Sequence, residues 1–303
     1  KNVKVPQSWH EHFSSKINSK ALHSLVRSWV SGDIDIDRMD YLLRDSYFTG
    51  VPYGNYDVSW LVHALGVIER KGNYMTSISD AGVHAFEYYL LARYNMFMQV
   101  YFHKTVRCFE HYFQEALSAK EISYTIPSDA ESYVGLRDST LFESLMRYGQ
   151  ENPLSWSARL IERKPAKRIV RVWKKDTNIE SLFEQIKDDL SKKNIHPFLV
   201  RSRSKFLDYE ESISPEKDMK KTSSLFSALS MTPLMVIRKD FGIRSALNME
   251  DYSFILKQYH QDISIGDIFI PKEEYDAKKD IIAPLLKKYF KASPSEIILD
   301  ENS

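Results

Sequence analysis

Cysteine is nearly absent: Cys108 is the only one in 303 residues. A single thiol excludes an intrachain disulfide framework and any zinc site built on cysteines, and it fits a reducing, cytoplasmic setting. An excess of charge of one sign is lacking too, with 42 Lys and Arg against 41 Asp and Glu. The whole-molecule field therefore favours neither nucleic acid nor an acidic membrane, and any polyanion site has to be local. No apolar run reaches the length that spans a bilayer, so no membrane partner is expected. Internal repeats are absent as well. What remains is ordinary for a globular protein, 43% hydrophobic and 27% charged, in a length that allows one large or two modest domains.

The most informative stretch is Asp33-Ile34-Asp35-Ile36-Asp37-Arg38-Met39-Asp40-Tyr41-Leu42-Leu43-Arg44-Asp45. A helix starting near Asp35 sets Asp37, Tyr41 and Asp45 four residues apart on one face. Arg38 lies beside that face, and Met39, Leu42 and Leu43 form an apolar back. One surface then carries a carboxylate able to ligate a metal, a cation, an aromatic ring and a hydrogen-bond acceptor. That is equipment for holding a phosphorylated, sugar-containing molecule. A calcium loop of the EF-hand type needs Gly at its sixth position and Glu at its twelfth. Counted from Asp33 those positions hold Arg38 and Arg44, so that reading is excluded. An acidic cluster that only caps a helix start stays open on spacing alone.

The segment, with the adjoining Ser46-Tyr47-Phe48-Thr49-Gly50-Val51-Pro52-Tyr53-Gly54, resembles the last signature element of the HD-domain nucleotide phosphohydrolases. It is similar to the branch containing the deoxynucleoside triphosphate triphosphohydrolases, including the sterile-alpha-motif-and-HD-domain dNTPase. Two further segments resemble the family in the same order, Trp9-His10-Glu11 and the run Ala92-Arg93-Tyr94-Asn95-Met96-Phe97 through Val100-Tyr101-Phe102-His103-Lys104. The resemblance implies Asp37 as a metal ligand and Arg38 and Arg93, with Lys104, on phosphate. It implies Tyr41, Asp45 and Tyr101 around the sugar, and His10 and Glu11 as proton-transfer groups at the phosphate end. By spacing alone Arg93, Phe97, Tyr101 and Lys104 share one stripe of a helix expected over about 80–118. Read without the family, Phe97 and Tyr101 are ordinary core residues and His103 a structural histidine.

The family's metal site, written H…HD…D, uses two His and two Asp. No His-Asp dipeptide occurs in this chain, so the first His and the His-Asp pair are expected on a segment preceding Lys1 or on another chain, unless the protein is a degenerate relative without them. The implied cofactor is a divalent ion (Mg, Mn, Fe or Zn). The implied reaction is metal-assisted attack of water on the α-phosphorus of a dNTP, giving deoxynucleoside and tripolyphosphate. The implied partners are the nucleotide substrate, a regulatory nucleotide and further copies of the chain as a homo-oligomer. The competing reading is a non-catalytic HD-like scaffold that binds nucleotide or assembles with a partner.

The expected fold is mainly α, an HD-type helical core over 1–150 with a smaller α+β lobe over 151–303. Helices are expected near 57–69, from Asp138 onward, from about Asn152-Pro153 or the following turn to Arg163, and near 178–192, 249–260 and 275–291, and strands near 168–173 and 234–237, with a short strand or loop after Lys71-Gly72-Asn73. Arg163, Lys164, Lys167, Arg168, Arg171, Lys174 and Lys175 form the densest basic cluster. Its composition favours a solvated strand face over an allosteric nucleotide site, and nucleic acid is the weakest of the implied partners.

Overall fold

A computed structural model describes residues 25–26, 28–30, 32–70, 73–172, 179–204, 234–240, 243–253, 255–256, 263–292 and 297–299. The elements run α1 Ile36–Thr49, α2 Val58–Ala64, β1 Leu65–Arg70, β2 Asn73–Ser79, α3 Val83–Met96, a π-helical turn Phe97–Tyr101 and α4 Lys104–Ser118. Next come α5 Ala130–Gly135, α6 Asp138–Glu151, α7 Trp156–Ile161, β3 Lys167–Val172, α8 Ile179–Ser191 and β4 Phe198–Ser204. The chain continues through β5 Met235–Asp240, β6 Ile243–Asn248, α9 Met249–Tyr252, β7 Ile263–Ile270, α10 Lys272–Ala292 and β8 Ile297–Leu299. The fold is mainly α, with a smaller α+β lobe toward the C-terminus. Among the described residues no helix is long and apolar enough to cross a membrane.

The chain divides into two compact units, residues 1–96 with 205–262, and 97–204 with 263–303. This division differs from the expected one near residue 150. It reflects packing of α7 against both α4 and α6, which keeps 104–161 in one body. It also reflects strand pairing that returns β5 to the first unit.

In the first unit α1 begins where Asp35, in extended conformation, accepts the backbone N–H of Arg38 at 3.1 Å. This is an acidic N-cap, which satisfies an otherwise orphaned donor and suits the positive end of the helix dipole. Met39 and Leu42 are buried as the apolar back. The helix ends at Gly50, whose φ of 71° is the left-handed conformation that glycine tolerates best. The Ser46 hydroxyl donates to the Val51 carbonyl and accepts from the Gly54 N–H. A Cβ on Gly54 would lie 2.3 Å from the Leu42 carbonyl oxygen, so the turn after α1 requires glycine there. A four-stranded sheet completes the unit in the order β1-β2-β5-β6, with only the β2–β5 pair parallel.

The helix expected over 57–69 stops at Ala64, and residues 65–70 pair antiparallel with β2. Gly66-Val67-Ile68 explains the switch, since Gly is a poor helix former and β-branched side chains pack well in a sheet. The single helix expected over 80–118 is likewise broken. The Phe102 N–H bonds to the Phe97 carbonyl, a π-type closure, and His103 then adopts an extended conformation as the N-cap of α4. The stripe expected to join Arg93, Phe97, Tyr101 and Lys104 therefore does not exist. The helix expected at 249–260 is regular over α9, and residues 254 and 257–260 lie outside the described residues.

In the second unit the sheet order is β4-β7-β3-β8, antiparallel throughout. The helices α8 and α10 pack Ile186, Leu190, Ile282 and Leu286 onto Ile169, Val170 and Ile268 of the sheet. β3 is central, and this overturns the solvated-face reading of the basic cluster at Arg171. That side chain is buried and forms a bidentate pair with buried Asp267, both contacts at 2.7 Å. It also donates to the Phe102 carbonyl at 3.1 Å. Lys174 and Lys175 lie outside the described residues. Removing one member of such a pair strands a buried charge. Asp267→Ala is expected to lower unfolding stability by about 3–5 kcal/mol in urea denaturation, whereas a surface pair would cost under about 1 kcal/mol.

Candidate functional site

The packing of α1 against α3 places the expected residues of the first unit. The helix α3 is buried on most of its surface, and Arg93 is among its buried residues at 4% exposure. A guanidinium at that depth keeps its charge at any working pH. Its field is weakly screened, because little water surrounds it. Arg38 projects from the first turn of α1. Its side chain lies 3.6 Å from the Asp35 carboxylate and reaches the Gly32 carbonyl at 3.5 Å. Asp35 is itself buried, so one carboxylate both caps the helix and steadies the arginine.

Tyr41 feels both charges. Burial pushes its phenol above the ordinary value; Arg93 and then Arg38 oppose the rise, and Asp35 and Asp37 add to it. Tyr89, fully buried on α3, is shifted upward by burial in the same way, again with Arg93 and Arg38 opposing. Its ring meets Tyr56 edge-on at 5.3 Å, and Tyr56 donates its hydroxyl to the Met39 carbonyl at 2.8 Å. Two guanidinium groups thus share their surroundings with two phenols that stay un-ionised. Neutral hydroxyls are hydrogen-bond donors that add no negative charge beside the two guanidinium groups.

Of the expected site residues, Arg38, Tyr41 and Arg93 are brought into mutual electrostatic reach. Asp37 lies exposed in the first turn of α1, and Asp45 is half-buried two turns further along the same helix. Tyr101 and Lys104 belong to the second unit. His10 and Glu11 fall outside the described residues. Reading the residues alone missed Asp35 as the group steadying Arg38, and missed Tyr89 and Tyr56. Tyr89 precedes Arg93 by four residues, a spacing that could have flagged it.

The metal that the family resemblance implies was tested against the donor set. Among the described residues no group of three or more His, Cys, Asp or Glu converges as a ligand cluster. Asp37 alone is too few donors for a stable site. The described residues therefore do not fit a complete metal centre, and no step is derived through one.

In the second unit, Lys104, Lys167, Arg168, Lys272, Tyr275 and Asp276 line a cavity of about 180 Å³. The first residues of α4 and α10 are both on its wall. Helix N-termini favour anions, and four cations reinforce that preference. Lys167 also lies 5.5 Å from the centre of the Tyr275 ring. Beside these groups, burial and then Lys104, Arg168 and Arg171 hold His103 below the ordinary imidazole value.

Asp35→Ala is expected to lower thermal stability by about 1 kcal/mol, the loss of a cap. Asp35→Asn, which keeps a capping acceptor but loses the charge, should cost less than Asp35→Ala in the same thermal melt. Equal loss in both variants would show that the carboxylate charge, rather than the cap, is what Asp35 contributes.

Residues 56–196 match the family model described as the HD associated region. Protein YwfO of Bacillus subtilis is 39% identical over 107 residues, which are 35% of this chain and 24% of that protein. Protein MJ1154 of Methanocaldococcus jannaschii is 43% identical over 91 residues, 30% of this chain and 20% of that protein. The matches thus span about a quarter or less of these relatives. The structure of a hypothetical protein from Aquifex aeolicus is similar at a TM-score of 0.60 and 22% identity, covering 86% of this chain and 59% of that one. A phosphohydrolase from Bacteroides thetaiotaomicron is similar at a TM-score of 0.50 and 19% identity, covering 81% and 63%. At these identities the likeness is one of fold. The chain thus carries a match to the HD associated region over residues 56–196 and shares its fold with these two structures.

Proposed function

We propose that the chain belongs to an HD-domain phosphohydrolase that cleaves a dNTP to deoxynucleoside and tripolyphosphate. The observation that carries the reading is the packing of α1 against α3, which puts Tyr41 under the influence of both Arg38 and buried Arg93, on helices whose sequence resembles the family's pocket. The guanidinium groups neutralise phosphate oxygens without any proton transfer. Their fixed positions stabilise charge that builds up as the α-phosphorus is attacked. Water adds to that phosphorus, the bond to the sugar O5′ breaks, and the deoxynucleoside leaves with a proton on its oxygen. Tyr41 bounds the sugar, and Asp45 accepts the 3′-hydroxyl. Asp37 would supply one ligand to a divalent ion; the family resemblance assigns His10 and Glu11 to proton transfer and Tyr101 to the sugar, and the protein is proposed to act as a homo-oligomer.

A regulatory nucleotide is a second proposed ligand, favoured by the cavity that Lys104, Lys167, Arg168 and Lys272 line. That assignment moves Lys104 from the substrate phosphates to the regulatory ones. The cytoplasm, where both nucleotides occur, is the proposed location.

The test is phosphorus NMR of the full-length protein with a dNTP and, in turn, Mg, Mn, Fe or Zn. Tripolyphosphate should appear without orthophosphate or pyrophosphate. Either of the latter as first product would contradict the reading, and tight binding without turnover would favour the non-catalytic scaffold. Asp45→Ala should reduce discrimination by sugar about tenfold, read as the kcat/KM ratio of a dNTP to its 2′,3′-dideoxy analogue, with metal affinity unchanged. Equal loss of metal would remove Asp45 from the sugar.

A further inference from the structure

We infer that the Tyr89 hydroxyl is a binding group of the phosphate site, donating to an oxygen of the anion held by Arg38 and Arg93. The inference rests on the phosphate-binding reading of those two arginines and adds a residue to it. Tyr89 is fully buried, yet among the described residues its hydroxyl oxygen has no hydrogen-bond partner. A buried hydroxyl without a partner forfeits about 1–3 kcal/mol, and buried polar groups are nearly always satisfied. Phenylalanine would fill the same space at no such penalty. A tyrosine at this place therefore points to a partner that arrives with the ligand.

The surroundings narrow what that partner is. The groups acting electrostatically on Tyr89 are Arg93, Arg38, Tyr56 and Tyr41. Tyr56 has its hydroxyl engaged on the Met39 carbonyl, so it cannot turn to donate to Tyr89 without breaking that bond. Both cations attract an acceptor that is negatively charged. Phosphate oxygen has that charge and accepts from a phenol that burial keeps protonated. A hydroxyl donor also discriminates: it favours an oxyanion over a chloride or another spherical anion that the arginines alone would admit. On the same helix, Tyr89 lies one turn before Arg93, so both act from a single rigid element.

The experiment is calorimetric titration of the full-length protein with inorganic tripolyphosphate, alongside thermal melting. Tyr89→Phe should weaken tripolyphosphate about tenfold and leave the melting temperature unchanged or higher, since an unsatisfied hydroxyl is removed. Tyr56→Phe, which deletes the engaged hydroxyl of the same ring pair, should leave the affinity within about twofold. Wild-type affinity in Tyr89→Phe, with Arg93→Gln strongly weakened, would overturn the inference and leave the phosphate site standing. Equal weakening by Tyr89→Phe and Tyr56→Phe would overturn it in favour of ring packing. No binding by the unaltered protein would overturn the phosphate site and the inference with it.

Discussion

Two positive charges act on the same two phenols, half-buried Tyr41 and fully buried Tyr89, and the first unit is arranged so that this costs little. Arg38 is steadied by Asp35, a carboxylate that has already been desolvated as the cap of α1. Arg93 sits on a helix buried on most of its surface. The fields of the two converge on Tyr41 and Tyr89, whose protons burial holds in place. Both charges act through a poorly screened environment, so the groups packed beside them feel each one strongly.

Much of the α1 part was legible in the sequence because helices follow from local spacing. Acids at two-residue intervals before an apolar periodicity mark a start, and a glycine-containing turn marks the end. Asp35 and Gly50 take those places. The break in the helix expected over 80–118 was not legible. A π-type turn at Phe97–Tyr101 arises from packing around a run of aromatics, and no proline or glycine announces it. The strand at Leu65–Arg70 was hidden for a related reason: its partners are the neighbouring β2 and, through it, a strand more than 150 residues away.

The basic cluster teaches the complementary lesson. Composition made it a solvated face, but charge runs do not reveal which member faces inward. Arg171 faces inward because Asp267, 96 residues further on, supplies a carboxylate in matching geometry on the adjacent strand. Arg168 lies near the same carboxylate, at 3.8 Å, and Lys167 and Arg168 turn to the cavity that Lys104 and Lys272 share. One run of sequence thus provides both a buried structural charge and an open cationic wall. The alternation of a strand sends neighbouring residues to different surroundings.

The central claim is that Arg38 and Arg93 act on one anion. A double-mutant cycle with Arg38→Gln, Arg93→Gln and the pair, measured as tripolyphosphate affinity, tests it most directly. Two guanidinium groups on a shared anion should be coupled, with the double variant departing from the sum of the single losses by at least about 0.5 kcal/mol. Losses that add within about 0.3 kcal/mol, or an affinity that neither substitution changes, would contradict the account.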